Sequence, residues 1–98
     1  MAKSLVWTEG AEQDLDDAIG YLEEREVGRG MVLLAEVTRV VSRILELPRV
    51  SPECEPGMRR AFIKSFSYHL FYTLTDDDSV VVHALIHTAA DPGGWPNP

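Results

Sequence analysis

The sequence contains little that would hold the chain together covalently or place it in a membrane. Cys54 is the only cysteine among 98 residues, so an internal disulfide is excluded, and a lone thiol is a poor metal ligand. No apolar run approaches the roughly 20 residues of a membrane-spanning helix. The first ten residues also lack the apolar core of a signal peptide, so we expect a cytoplasmic protein without membrane contact.

Basic residues are scarce as well. Nine Lys and Arg stand against sixteen Asp and Glu, which gives a net charge of −7. Because polyanions are held mainly through Lys and Arg, this balance argues against direct, stable binding to nucleic acid. The charge is nevertheless uneven: residues 1–27 sum to −6, residues 28–75 to +3 and the remainder to −4. We therefore expect a local basic patch on an acidic protein.

Length and periodicity predict one small domain over residues 1–98. A chain of this size buries roughly two thirds of its unfolded surface, enough for a single two-layer core. Apolar spacing and turn residues predict a strand, two helices that form a hairpin, and three further strands. Their expected bounds, in chain order, are residues 4–8, 9–25, 31–47, 58–65, 68–75 and 79–87. Thr8 is expected to cap the first helix, and the proline-rich residues 48–57 are expected to form a loop.

Acidic residues cover much of the first helix. Paired carboxylates invite a metal-binding or acid-base interpretation, but no further ligand is placed by sequence to converge on them. A solvated helix face is the better interpretation of Asp14, Asp16, Asp17, Glu23 and Glu24.

Residues 57–72, GMRRAFIKSFSYHLFY, form the most informative stretch, because it holds three of the nine basic residues and five of the eight aromatic ones. Two β-favouring runs separated by Phe66 and Ser67 predict a hairpin. Alternation along the first run places Arg60 on one face and Arg59 on the other. The second run has apolar side chains on both faces, so we expect it to be a central strand.

The order of elements coincides with a dispersed set of residues: Trp7-Thr8, Ala11, Asp14-Leu15, Ile19, Tyr21-Leu22, Pro48, Gly57 to Arg60, Phe66 to Tyr68, Leu70, Tyr72, Val82, Ala84, His87, Pro92 and Trp95. With them the sequence resembles the RelE/ParE superfamily of toxins from bacterial type II toxin-antitoxin modules, and most closely its ParE, or plasmid-stabilisation, branch. The resemblance implies an α+β fold in which a helical hairpin packs on one small sheet, made of the N-terminal strand and a three-stranded antiparallel meander.

Three departures from the family pattern concern activity rather than fold. Members usually have Phe-Pro-Tyr where this chain has Ser67 in the middle, and one or two arginines where it has Thr88, Ala89 and Ala90. They also tend to be basic.

Three functions follow from the resemblance. The ParE branch implies a toxin that inhibits DNA gyrase by protein contact, needs no cofactor and is neutralised by a cognate antitoxin, in a homodimer or a hetero-oligomer with it. The RelE branch implies a ribosome-dependent mRNA endoribonuclease, for which the catalytic candidates are Arg60, Lys64 and His87. No Lys, Arg or Tyr follows Tyr72, which disfavours that chemistry. The third alternative is a non-toxic interaction module that keeps the toxin fold.

The resemblance also suggests two contact surfaces. The expected target-binding residues are Arg59, Arg60, Lys64 and Tyr68, and the expected antitoxin-binding residues are Phe62, Phe71, Tyr72 and Trp95. For the two arginines, a salt bridge to the acidic first helix is the structural alternative. For His69 and His87 the alternative is a purely structural role, and no metal site is expected because no short ligand pair supports one.

Overall fold

The computed structural model describes residue 2 and residues 4–90. Its elements are β1 (Leu5–Trp7), α1 (Glu9–Arg25), α2 (Arg29–Glu46), β2 (Glu53–Glu55), β3 (Met58–Ile63), β4 (Tyr68–Leu74) and β5 (Val80–His87), with short 3-10 helices at Lys64–Phe66 and Thr88–Ala90. The predicted α+β order is confirmed. Of the helices in this part of the chain, none is long and apolar enough to cross a membrane.

Each helix begins at a cap, but the two caps differ. At the start of α1 the Thr8 hydroxyl accepts a hydrogen bond from the Ala11 amide at 3.1 Å, as predicted. Gly28 precedes α2 at φ 92° and has no side chain to offer. Glu23 of α1 takes over this role, because its carboxylate accepts hydrogen bonds from the amides of Gly28 and Gly30 at 3.0 and 2.7 Å.

Gly30 lies inside α2, whereas the sequence suggested that it would interrupt the helical pattern. A Cβ atom at this position would lie 2.7 Å from the backbone oxygen of Ile19 in α1. The absence of a side chain therefore allows the two helices to approach closely where they leave the interhelical turn.

The sheet has five strands in the order β1-β5-β4-β3-β2, with β1 parallel to β5 and the other neighbours antiparallel. The prediction that the second run of the hairpin is central is confirmed, since β4 is the middle strand. The prediction of a plain loop before the hairpin is wrong in one respect. Glu53–Glu55 pairs with β3 as a short edge strand, which the three prolines of this region confine to three residues.

The helices cover one face of the sheet, and the other face does not contact them. Leu70 and Tyr72 of β4 join the buried side chains of α2 in the main core, whose other members include Leu33, Val37 and Ile44. The intervening β4 residues point away from the helices. We call that side the outer face, and it carries Met58, Arg60, Phe62, His69, Phe71 and Thr73.

Candidate functional site

Arg59 lies on the helix-facing side of β3 and holds the preceding segment in place. Its guanidinium donates hydrogen bonds to the carbonyl oxygens of Ser51 at 2.7 Å and Arg49 at 3.3 Å. It also lies 3.5 Å from the Glu53 carboxylate, and its side chain is only 17% exposed. The alternative of an ion pair with the first helix is therefore wrong for Arg59, because its acidic partner is in β2. These contacts give Arg59 a structural role whether or not it also touches a target.

Arg60 projects from the opposite face of the same strand. Its neighbour across the sheet is Phe71, and the next outer-face residue of β3 is Phe62, which is 51% exposed. The Phe62 ring lies 5.4 Å from the ring of His69 on β4, centroid to centroid. The outer face therefore presents a cation beside the exposed Phe62 ring and the partly buried His69 ring, a combination that suits protein recognition.

Lys64 is exposed and lies in the 3-10 helix that links β3 to β4. The link ends at Ser67, whose φ of 57° is left-handed. Proline fixes φ near −65° and could not adopt this conformation, so the serine suits the local turn as it stands. On the helix side of the same link, the Arg29 guanidinium stacks over the Phe66 ring at 4.8 Å.

Two of the aromatic residues expected to bind an antitoxin are not accessible. Phe71 and Tyr72 are both 0% exposed. The Tyr72 ring fills the core beneath the helices and its hydroxyl donates a hydrogen bond to the Pro48 carbonyl at 2.8 Å. Of the three aromatic residues Phe62, Phe71 and Tyr72 that were expected to contact an antitoxin, only Phe62 presents exposed aromatic surface. Trp95 lies outside the described residues.

Tyr68 and His87 lie on the helix-facing side, opposite each other in β4 and β5, with ring centroids 5.1 Å apart. With Tyr21, Asp14 and Asp17 of α1 they line a cavity of about 380 Å³, which we call the α1–β5 pocket. Burial, followed by a smaller contribution from Tyr21, raises the pKa of Tyr68 above its ordinary value. Tyr68 therefore remains a neutral phenol through the physiological range.

The acidic face of α1 is less uniformly solvated than the sequence suggested. Asp14 accepts a hydrogen bond from the Leu85 amide of β5 at 3.0 Å, a contact that joins residues 71 positions apart. Glu23 caps α2, and its hydrogen bonds to the Gly28 and Gly30 amides lower the pKa of its carboxyl group. The solvated-face interpretation is confirmed for the exposed Asp16 and Glu24 but is wrong for Asp14 and Glu23.

The three catalytic candidates do not form one cluster. Arg60 lies on the outer face of β3, His87 on the helix-facing side of β5, and Lys64 in the link beyond β3. The histidines are also divided, because His69 and His83 are on the outer face, where His83 Nε2 lies 2.8 Å from the Thr73 hydroxyl. Among residues 2 and 4–90, no group of three or more His, Cys, Asp or Glu side chains is arranged to hold a metal ion.

An apolar groove of about 390 Å³ lies between β1 and the two helices. The sequence did not predict this groove, although each apolar residue that lines it belongs to a predicted strand or to the apolar side of a predicted helix. Its lining consists of Leu5, Trp7, Leu15, Leu34, Val37, Thr38, Val41, Ser42 and Leu45. The polar lining residues Thr38 and Ser42 are both exposed on α2.

Comparison with known protein families shows which family the chain belongs to. Residues 5–92 match the family described as the ParE toxin of the type II toxin-antitoxin system, parDE. The chain belongs to the ParE toxin family. This match covers most of the sequence and confirms the resemblance inferred from the dispersed residues. A comparison with curated proteins gave no match.

Solved structures of toxins from such systems share the fold. A chain from the chromosomal ParDE system of P. aeruginosa superposes with a TM-score of 0.74 at 15% identity, covering 86% of this chain and 94% of that one. The isolated E. coli RelE toxin gives 0.65 at 20% identity, with coverage of 88% and 84%. The E. coli RelBE toxin-antitoxin complex gives 0.66 at 20% identity, with coverage of 89% and 98%. At these identities the likeness establishes the fold.

Proposed function

We propose that this ParE-family toxin acts in the cytoplasm by binding DNA gyrase as a protein inhibitor, and that a cognate antitoxin neutralises it. Membership of the ParE family, over residues 5–92, is the observation that carries the proposal. The gyrase target follows from the resemblance to the ParE branch. The small, rigid two-layer fold suits inhibition by contact, because it can present fixed surfaces without any bound cofactor.

The separation of the catalytic candidates supports a contact inhibitor over a ribonuclease. Cleavage of RNA requires a proton-transfer group and cations that converge on one phosphate. Here Arg60 and His87 lie on opposite faces of the sheet, with β4 between their strands. His87 also shares its pocket with Asp14 and Asp17, and these carboxylates would repel a phosphate.

Arg60 and Phe62 are our proposed centre of the target-binding surface. They lie next to each other on the outer face, and Phe62 is 51% exposed while Arg60 is half-buried. An arginine held beside an aromatic ring loses little conformational freedom on binding and can form paired hydrogen bonds. Lys64 lies beyond the end of β3 and can extend this surface, whereas Arg59 and Tyr68 face the helix side.

The apolar groove is our proposed seat for the antitoxin. P. aeruginosa ParDE and E. coli RelBE pair toxins of this fold with an antitoxin, which is the reason for expecting such a partner here. A groove lined almost wholly by Leu, Val and Trp side chains suits the apolar stripe of an amphipathic helix. Covering it would bury apolar surface that the isolated toxin leaves in contact with water.

Expression of the toxin without its antitoxin tests the mode of action. We expect growth arrest with altered DNA supercoiling and intact mRNA. Arrest with site-specific mRNA cleavage that is lost in His87→Ala would replace the proposal with the ribonuclease alternative. Normal growth at full expression would instead identify a non-toxic interaction module.

Co-purification with the product of the adjacent reading frame tests the groove. Thr38→Glu places a charge in its lining and is expected to abolish complex formation. Val32→Glu is the matched control, because Val32 is an exposed apolar residue of α2 that does not line the groove. Equal loss in both variants, or no complex with the unaltered chain at micromolar concentration, would contradict the proposal.

A further inference from the structure

The α1–β5 pocket brings together acidic and aromatic side chains that belong neither to the proposed target-binding surface nor to the apolar groove. Asp14, Asp17 and Tyr21 occur at intervals of three and four residues along α1, which places them on one face of the helix. Tyr68 and His87 close the pocket from the ends of β4 and β5. The cavity of about 380 Å³ is large enough for one long side chain.

Charge decides which ligands the pocket can accept. Asp14 and Asp17 contribute two carboxylates. The Ala89 amide donates a hydrogen bond to His87 Nδ1 at 3.1 Å, which requires that nitrogen to be unprotonated. The Arg25 guanidinium over the Tyr21 ring offsets one of the two carboxylates. The acidic and basic side chains at the pocket therefore sum to one negative charge, which favours a cation over a phosphate.

Both carboxylates keep capacity to accept further hydrogen bonds. Asp14 Oδ2 accepts from the Leu85 amide at 3.0 Å, and Asp17 Oδ1 accepts from Gln13 Nε2 at 2.8 Å. An ionised carboxylate has about four lone-pair sites, so one bond leaves each group available to a second donor. The existing bonds also fix the orientation of the two groups.

The aromatic rings make the pocket suited to a planar cation. Tyr21 is 52% exposed, and one face of its ring already carries the Arg25 guanidinium at 4.3 Å from the centroid. Tyr68 meets His87 edge to face, which leaves the two rings at right angles in the pocket wall. Guanidinium groups stack on tyrosine and bind carboxylates through a planar fork, whereas an ammonium does neither as well.

We propose that the α1–β5 pocket binds the guanidinium group of an arginine side chain donated by a partner protein. The carboxylates of Asp14 and Asp17 accept its hydrogen bonds, and the rings of Tyr21 and Tyr68 flank its plane. The pocket is distinct from the outer face and the apolar groove. This binding site is therefore additional to the proposed function and requires neither gyrase nor an antitoxin for its test.

The test is an NMR titration of the isotopically labelled protein with acetyl-arginine-amide. We expect shift changes centred on Tyr21, Tyr68 and His87 with a dissociation constant of roughly 1 mM, as befits a small fragment. Acetyl-citrulline-amide has the same shape without the charge and is expected not to bind. Inorganic phosphate is the anionic control and is also expected to leave these residues unshifted.

Two variants of α1 make the assay specific. Asp17→Asn removes a carboxylate of the pocket and is expected to weaken arginine binding about fivefold, the scale of an exposed ion pair. Asp16→Asn removes the neighbouring exposed carboxylate, which does not line the pocket, and is expected to leave binding unchanged. Circular dichroism of both variants checks that they remain folded. Equal effects of the two substitutions, binding of citrulline, or a response to phosphate in place of arginine would overturn the proposal.

Discussion

Arg59 and Arg60 are consecutive in β3, yet they lie on opposite faces of the sheet and have different surroundings. Arg59 is 17% exposed in its side chain and is bonded to carbonyl oxygens of the segment before β3. Arg60 lies beside the exposed Phe62 on the outer face. Adjacent residues with the same chemistry thus differ in their burial and in their bonding. Under the proposed function, substitutions of buried residues on the helix-facing side should reduce stability, and substitutions of exposed residues on the outer face should reduce activity.

The largest expected contrast compares Leu70 with Phe62. Leu70 is 0% exposed in the core, so Leu70→Ala is expected to lower the free energy of unfolding by about 2 to 5 kcal/mol. Phe62 is half exposed, and Phe62→Ala is expected to change it by about 0.5 kcal/mol or less while reducing toxicity. Urea denaturation of both variants checks this. Similar losses would show that the outer face is also structural.

The two arginines give the next contrast. Arg59→Ala removes charge-assisted hydrogen bonds to the Ser51 and Arg49 carbonyls and is expected to cost about 1 to 3 kcal/mol. Arg60→Ala is expected to change the free energy of unfolding by about 0.5 kcal/mol or less. Thermal and urea unfolding measure both. Equal stability of the two variants would refute the structural role assigned to Arg59.

A smaller effect is expected from Tyr72→Phe, which keeps the ring in the core and removes only the hydroxyl. Its hydrogen bond to Pro48 anchors the segment that follows α2, so the loss should be about 1 kcal/mol. Faster amide exchange in residues 48–52 should accompany it. Unchanged exchange there would indicate that Arg59 alone holds the segment.

The smallest effect concerns the partly buried Glu23 and depends on pH. Because the pKa of Glu23 is lowered in the folded state, its contribution is present above the pKa of the unfolded chain and is lost as the pH falls through the folded pKa. Glu23→Gln should therefore destabilise the protein at pH 7, and the difference from the unaltered chain should disappear as the pH falls through the lowered pKa of Glu23. Glu24→Gln, at the exposed neighbouring position, is the control. A pH-independent difference for Glu23→Gln would contradict the capping role.

Much of the fold was predictable because it depends on local patterns. The Thr8 cap and the alternation in β4 are encoded within a few residues, and both were predicted. Strand β2 could not be predicted in this way, since its three residues become a strand only by pairing with the edge that β3 offers. The capping role of Glu23 could not be predicted either, because it depends on amides at the start of α2, a helix that begins six residues later.

The candidate sites were less predictable than the fold. Alternation separated Arg59 from Arg60, but it did not reveal which face the helices cover or that residues 49–53 fold back onto Arg59. The family resemblance and the number of aromatic residues suggested accessible rings at Phe71 and Tyr72, whereas both are buried. Asp14 and Tyr68 are distant in sequence, and they line one pocket because β4 pairs with β5 and α1 contacts β5. The spacing of Asp14, Asp17 and Tyr21 on α1 was the one available signal, and a solvated helix produces the same spacing.

Inhibition of gyrase supercoiling by purified toxin variants tests directly whether the outer face binds the target. We expect Arg60→Ala to lose inhibition while it keeps the unfolding free energy of the unaltered chain. Arg39→Ala, which removes an exposed arginine of α2 paired with Glu36, should inhibit fully. Full inhibition by Arg60→Ala, or equal loss in both variants, would contradict the assignment of the outer face as the target-binding surface.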